Sequence, residues 1–160
     1  MGTLALGVGV ESARGFSAND TIQIGAIGTG DRCLRLMGNL KQLPGVRLTA
    51  LCDIYDANLE EAKKIADRGA FATKHFPELL ARSDVDAVVI ASPDHWHVPM
   101  TIAACEAGKD VYVEKPLTHN LAEGEPVIEA VKRTARIVQV GMQQRSLHKL
   151  FGLVKNSPAA

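Results

Sequence analysis

Ile22-Gln23-Ile24-Gly25-Ala26-Ile27-Gly28-Thr29-Gly30-Asp31-Arg32-Cys33 is an apolar run that ends in a glycine turn and then passes into a segment of helical composition. The first glycine of such a turn permits a tight bend after a strand. The second lets backbone N–H groups approach a phosphate closely, and the helix N-terminus beyond supplies a positive dipole end. Where a dinucleotide fingerprint carries its third glycine this chain has Cys33, a side chain small enough to let helix and strand stay close. Glycine turns also serve as plain connections, so the motif needs a partner. Asp53 is that partner, twenty-five residues after Gly28 at the end of the next apolar run, Val46 to Cys52. A carboxylate at that strand tip can accept both ribose hydroxyls of a dinucleotide.

Working outward, strand and helix signals alternate from Thr21 onward, which predicts an α/β fold with a doubly wound parallel sheet of Rossmann type. Ile22 to Ile27 and Val46 to Cys52 read as strands, with Asp31 to Leu43 as the helix between them, stopped by Pro44-Gly45. Asn58 reads as the start of the next helix, with Glu61 completing a capping box, Leu59, Ala62 and Ala66 as the apolar stripe, and Glu60–Lys64 as an i,i+4 pair. Pro77 opens a short helix to Arg82, Val85 to Ala91 is an apolar strand, Pro99 sits near the start of a helix ended by Gly108, and Val111 to Val113 is a strand. Asn120 and Glu123 form a second capping box, yet it puts Pro126 inside the helix, where proline costs about 3 kcal/mol. The expectation is a kink, or a helix that starts near Glu125 and buries Val127, Ile128 and Val131. Ile137 to Val140 reads as the last strand, and Leu147, Leu150, Phe151 and Val154 have helical spacing before Asn156-Ser157-Pro158.

With 160 residues, 46% of them apolar and 22% charged, the chain is about one domain's worth and can bury a real core. Eighteen basic and eighteen acidic residues give no net charge and no long run of either sign. That argues against nucleic acid or an anionic membrane surface as partner and for a small-molecule ligand. Cys33, Cys52 and Cys105 lack CxxC spacing and read as small buried hydrophobes; His75, His119 and His148 share no ligand spacing with His95 and His97, so no metal site is expected. Residues 1–20 open with an apolar, glycine-rich run and continue small and polar, either as a disordered arm or as a leader whose start lies upstream. The apolar run is too short to span a bilayer.

Ligands of open α/β sheets bind outside the carboxyl ends of the strands, and several polar groups fall there. Glu114-Lys115-Pro116 follows a strand directly, so Lys115 is expected to face a ligand rather than bulk water, with Glu114 pairing with it or holding a cofactor hydroxyl. Ser92-Pro93-Asp94-His95-Trp96-His97 follows another strand; His97 is a candidate to orient a nicotinamide or sugar group, or else a cap, and Trp96 a pocket wall or core residue. Gln143, Gln144 and Arg145 follow the last strand and can rim the same pocket. Asp53, with no arginine after it in Ile54-Tyr55, favours NAD over NADP, because a carboxylate repels a 2′-phosphate. The candidate cofactor-binding set is therefore Gly28, Thr29, Gly30, Asp31, Arg32, Asp53, Ser92, His97, Glu114, Lys115 and Gln143.

These stretches, together with Gly108-Lys109-Asp110-Val111-Tyr112-Val113-Glu114-Lys115-Pro116-Leu117 and Gly141-Met142-Gln143-Gln144-Arg145, make the chain resemble the Gfo/Idh/MocA oxidoreductases, the family of glucose-fructose oxidoreductase and inositol dehydrogenase. The resemblance runs from about Thr21 to Arg145. It implies a nicotinamide-dinucleotide-binding domain over 21–145, followed at 146–160 by the start of a link to a second, sugar-binding domain. It implies Lys115 as the catalytic residue near nicotinamide and substrate hydroxyl, a sugar or polyol substrate, and a homo-oligomer in the full-length form. The leader-like start looks like the end of a twin-arginine signal, which implies export, with the cytoplasm as the alternative. Two other readings stay open on the same resemblance: an NAD-using glycosidase and a non-catalytic dinucleotide-binding regulatory module.

Overall fold

The protein is described over residues 21–142 by a computed structural model. Six strands form one sheet: β1 Ile22–Ile27, β2 Val46–Cys52, β3 Phe71–Thr73, β4 Ala87–Ile90, β5 Asp110–Glu114 and β6 Val138–Gly141. Every pairing is parallel and the spatial order is β3-β2-β1-β4-β5-β6, the doubly wound arrangement expected from the alternating signals. The strand order reverses between β1 and β4, so the loops after these two strands open a crevice at the carboxyl edge.

Among the described residues five α-helices cover the sheet: α1 Asp31–Leu40, α2 Asp56–Ile65, α3 Phe76–Leu80, α4 His97–Glu106 and α5 Gly124–Thr134. Alternate strand residues feed two cores. One side joins Ile24, Ala26, Leu48, Leu51 and Val89 to Met37 of α1 and to Leu59 and Ala62 of α2. The other joins Ile27, Val88, Ile90, Val111 and Val113 to Leu79 of α3 and to Ala104 and Cys105 of α4. Each fully buried Leu, Ile or Val contributes about 1.5–3 kcal/mol, which holds the strand ends in fixed register and so fixes the crevice. The first side is less covered over β4 and β5: Ile24, Leu36, Leu40, Val89 and Tyr112 line an open, mostly apolar groove of ≈ 220 Å³.

Several boundaries differ from those read in the sequence. α1 stops at Leu40, and residues 41–45 form turns that end with Gly45 at φ +77°. α2 starts at Asp56 and not at Asn58, so the Asn58–Glu61 capping box is absent; the Asn58 side chain is bonded to Asp53 instead. Its ion pairs within the helix, among the described residues, are Glu60–Lys63 and Glu61–Lys64, at i,i+3, and not Glu60–Lys64; both spacings bring side chains together on a helix, and the nearer lysine is taken. β3 was not read at all, since three residues are too few to show a period. β4 is shorter than Val85 to Ala91, and β6 runs one residue past Val140.

The conflict at Pro126 resolves with both signals intact. The Asn120–Glu123 capping box is present, but it caps a 3-10 turn over Leu121–Glu123, and α5 begins afresh at Gly124. Pro126 then lies in the first turn of α5, where its missing N–H has no helical partner to lose. The buried face of α5 is Val127 and Ala130, with Val131 partly buried, whereas Ile128 is 52% exposed. The expected burial of Ile128 fails because it lies about 100° around the helix from Val127, off the face that Val127, Ala130 and Val131 turn to the sheet. The helical spacing read over Leu147, Leu150, Phe151 and Val154, and residues 1–20, lie outside the described residues.

Candidate functional site

The two glycines of the turn after β1 do different work. Gly28 has φ +79°, and a β-carbon there would stand 2.6 Å from the backbone nitrogen of Ser92 and 2.7 Å from its Cα. The turn is therefore pressed against the loop after β4. Gly30 has an extended backbone, φ −70° and ψ −176°, and a β-carbon there would meet nothing closer than Asn58 Nδ2 at 3.9 Å. It is the N-cap residue of α1, and no side chain caps the helix, so the first-turn N–H groups face the crevice over an open glycine. Uncapped N–H groups, a dipole end and no obstructing side chain suit a pyrophosphate.

Asp53, 8% exposed, sits beside this turn as the spacing predicted, and its carboxylate is already engaged. Oδ2 accepts from the Thr29 N–H at 2.8 Å, the Thr29 hydroxyl at 3.3 Å and Asn58 Nδ2 at 3.0 Å, while Oδ1 accepts from the Tyr55 N–H at 2.9 Å. Thr29 is fully buried, and its side chain ties the turn to Asp53. Cys33, fully buried, is the small residue under α1; burial pushes its thiol up to about 12, with the Asp53 and Glu114 carboxylates adding to the effect.

His97 opens α4 and is 1% exposed. Its Nδ1 lies 2.6 Å from the Pro116 carbonyl and its Nε2 2.9 Å from the Ser92 carbonyl. A neutral ring has one N–H and a protonated ring two, so the tautomer decides which carbonyl receives the bond. In this arrangement the imidazole braces the loop after β4 to the loop after β5. Ser92 has its hydroxyl buried without a hydrogen-bond partner among the described residues, and its backbone supports Gly28. Trp96 is 43% exposed, packed edge-on against Phe76 with ring centroids 6.3 Å apart, and so is not a core residue.

Glu114 ends β5 and is 4% exposed. Its Oε1 accepts from Arg32 Nε at 2.7 Å and lies 2.5 Å from Arg32 Nη2, and its Oε2 faces the Lys115 N–H at 3.3 Å. The guanidinium is raised above its ordinary value chiefly by its bond to Glu114, and Tyr112 joins the same cluster. Arg32 therefore spends its fork on Glu114, tying the start of α1 to the end of β5. β6 passes so close that a β-carbon at Gly141 would stand 2.5 Å from the Tyr112 hydroxyl.

Lys115 follows, exposed, and a cis peptide bond then joins it to Pro116. Its ammonium has no hydrogen-bond or ion-pair partner among the described residues. The glycine turn, Asp53, Ser92, Glu114 and Lys115 thus lie along one sheet edge, Asp31 is exposed at the start of α1, and Gln143 falls outside the described residues. Two members of the cluster were not recognised in the sequence as site residues: Asn58, whose only signal was its place five residues after Asp53, and Tyr112, which read as plain strand. Among the described residues no group of three or more His, Cys, Asp or Glu is placed to hold a metal, and no helix is long and apolar enough to cross a membrane.

Comparison with known proteins agrees with this geometry. Residues 22–142 match the family model described as "Oxidoreductase family, NAD-binding Rossmann fold". A glycosyl hydrolase family 109 protein of Shewanella baltica is 34% identical over 125 residues, covering 73% of this chain and 27% of the relative. An alpha-N-acetylgalactosaminidase of Shewanella oneidensis is equally similar, with the same coverage. Among solved structures, scyllo-inositol dehydrogenase from Lactobacillus casei with bound NAD(H) and scyllo-inositol superposes with a TM-score of 0.76 at 27% identity, covering 84% of this chain and 40% of that one. The chain thus spans well under half the length of these relatives. Sheet order, glycine turn, Asp53 and the family match lead to one conclusion: the chain belongs to the Gfo/Idh/MocA oxidoreductase family and carries its NAD-binding Rossmann fold.

Proposed function

We propose that this chain is the cofactor-binding half of an NAD-dependent oxidoreductase acting on a CH–OH group of a sugar or polyol, with Lys115 as its catalytic residue. The observation that carries the reading is the exposed Lys115 ammonium at the carboxyl end of β5, without a partner among the described residues. Gly30 and the uncapped start of α1 hold the pyrophosphate, Asp53 holds the adenosine ribose, and its carboxylate favours NAD over NADP. When bound, the nicotinamide supplies the acceptor for the two electrons removed from a carbinol carbon. Lys115 hydrogen-bonds the reacting oxygen and stabilises the charge that develops on it. Arg32 and Glu114 fix the backbone from which Lys115 projects, and His97 fixes the loops on either side. The rest of the substrate pocket belongs to a second domain, and the full-length protein works as a homo-oligomer.

Calorimetric titration of the folded chain with NAD tests the cofactor half. Binding that is lost in Asp53→Ala supports it, and a folded sample that gives no heat refutes it. In the full-length protein, Lys115→Met is expected to retain NAD while losing most turnover with sugars or polyols.

A second reading, an NAD-dependent glycosidase, is favoured by the 34% identity to the alpha-N-acetylgalactosaminidase of Shewanella oneidensis. The same site then oxidises a sugar hydroxyl transiently and returns the electrons after the glycosidic bond is cleaved. Glycoside cleavage without net NADH formation selects this reading; NADH formed in proportion to oxidised sugar selects the first.

A further inference from the structure

We propose that Asn58 reads one of the two hydroxyls of the adenosine ribose, a task the sequence had assigned wholly to Asp53. The proposal rests on NAD binding by this site. A carboxylate offers about four lone-pair positions, two on each oxygen. Oδ2 of Asp53 already accepts three donors, from the Thr29 backbone, the Thr29 hydroxyl and Asn58 Nδ2. It cannot be released cheaply, because Thr29 is fully buried and its N–H would lose its partner. Among the described residues Oδ1 accepts only the Tyr55 N–H and so keeps one open position, enough for a single hydroxyl.

The other hydroxyl needs another group, and Asn58 is the polar side chain next to it. Its amide nitrogen must face Asp53, since a carboxylate only accepts, and this leaves its carbonyl oxygen and second N–H directed elsewhere. Neither has a partner among the described residues. The side chain is half-buried, and Nδ2 lies 3.9 Å from where a Gly30 β-carbon would stand, so Asn58 borders both Asp53 and the phosphate turn. A hydroxyl donates and accepts, and a carboxamide answers both. The alternative role, capping α2, is excluded by the helix starting at Asp56 with Tyr55 in the N-cap position.

The test is titration of NADH and of its analogues lacking the 2′- or the 3′-hydroxyl of the adenosine ribose into wild type, Asn58→Ala and Asn58→Asp, with melting temperatures recorded alongside. Asn58→Ala is expected to weaken NADH about fivefold. One of the two deoxy analogues should then bind wild type and Asn58→Ala equally, because the hydroxyl that Asn58 reads is missing from it. Asn58→Asp, isosteric but set against Asp53, should weaken NADH further. Unchanged NADH affinity in both variants overturns the proposal. So does an equal loss for NADH and both analogues, which would mean that Asn58 acts only by holding Asp53. A wild-type chain that binds no NADH removes the cofactor reading and this proposal together, whereas affinity lost in Asp53→Ala but kept in both Asn58 variants removes this proposal alone.

Discussion

Replacing Gly28 and Gly30 by alanine, one at a time, separates what the fold needs from what the ligand needs. At Gly28, φ is +79°, and an L-residue there costs about 1–2 kcal/mol. Its β-carbon would also stand 2.6 Å from Ser92 N, 2.7 Å from Ser92 Cα and 2.9 Å from Ala91 C. These are backbone atoms at the end of β4, so relief requires shifting a strand end that the core holds, at about 1–3 kcal/mol more. The sum is about 3 kcal/mol, or a fall in melting temperature of about 10 °C for a domain of this size. At Gly30 the backbone is extended, and the nearest atom to the new methyl is the far end of Asn58 at 3.9 Å. The entropy gained by restricting the unfolded chain, about 0.4–1 kcal/mol, offsets a similar loss of N-cap preference. Stability should change by less than about 0.5 kcal/mol. The methyl does, however, stand where the pyrophosphate must approach the N–H groups of α1, and NADH affinity should fall by more than about tenfold. Thermal denaturation and NADH titration of both variants decide the matter. Equal destabilisation of the two, or a Gly30→Ala chain that binds NADH as well as wild type, refutes the division of roles.

Arg32→Ala is expected to cost about 2 kcal/mol, because it strands a carboxylate that is 4% exposed, while Glu114→Gln leaves only a partly exposed guanidinium and costs about 1 kcal/mol. Equal losses in denaturant titrations would contradict the asymmetry. Burial, reinforced by Asp53, pushes both Cys33 and Cys52 from 9.0 up to about 12. The unfolded chain releases these protons first, so their stabilising contribution is complete below pH 9 and is lost as pH rises toward 12, at about 1.4 kcal/mol per pH unit for each thiol. Denaturant melts from pH 8 to 10.5 should show this slope, and Cys33→Ala should reduce it; an unaltered slope would count against it. His97→Phe keeps a ring but loses the N–H bonded to a loop carbonyl, so it should lower stability by about 1–2 kcal/mol and weaken NADH. A His97→Phe chain equal to wild type would show that the ring acts by volume alone.

Much of the fold was legible because its signals are local. Apolar runs closed by glycine, serine-proline or a charged residue gave five of the six strands described, and the stripe at Leu59, Ala62 and Ala66 gave the buried face of α2. β3 escaped because three residues carry no period, and the helix starts at Asp56 and Gly124 escaped because capping signals of similar strength competed within a few residues.

The doubly wound sheet, and a glycine turn, Asp53 and Lys115 at strand ends, could be read from consecutive residues, since strand length, turn chemistry and spacing are local properties. Tertiary structure alone decided which polar groups are free. Glu114 meets Arg32 across 82 positions of sequence, Thr29 meets Asp53 across 24, and His97 meets the carbonyl of Pro116 across 19. A hydrogen bond formed by chain segments so far apart depends on the packing of the whole sheet. That packing joins Glu114 to Arg32, sets His97 between the carbonyls of Ser92 and Pro116, and brings Asn58, read as a helix cap, to the side of Asp53.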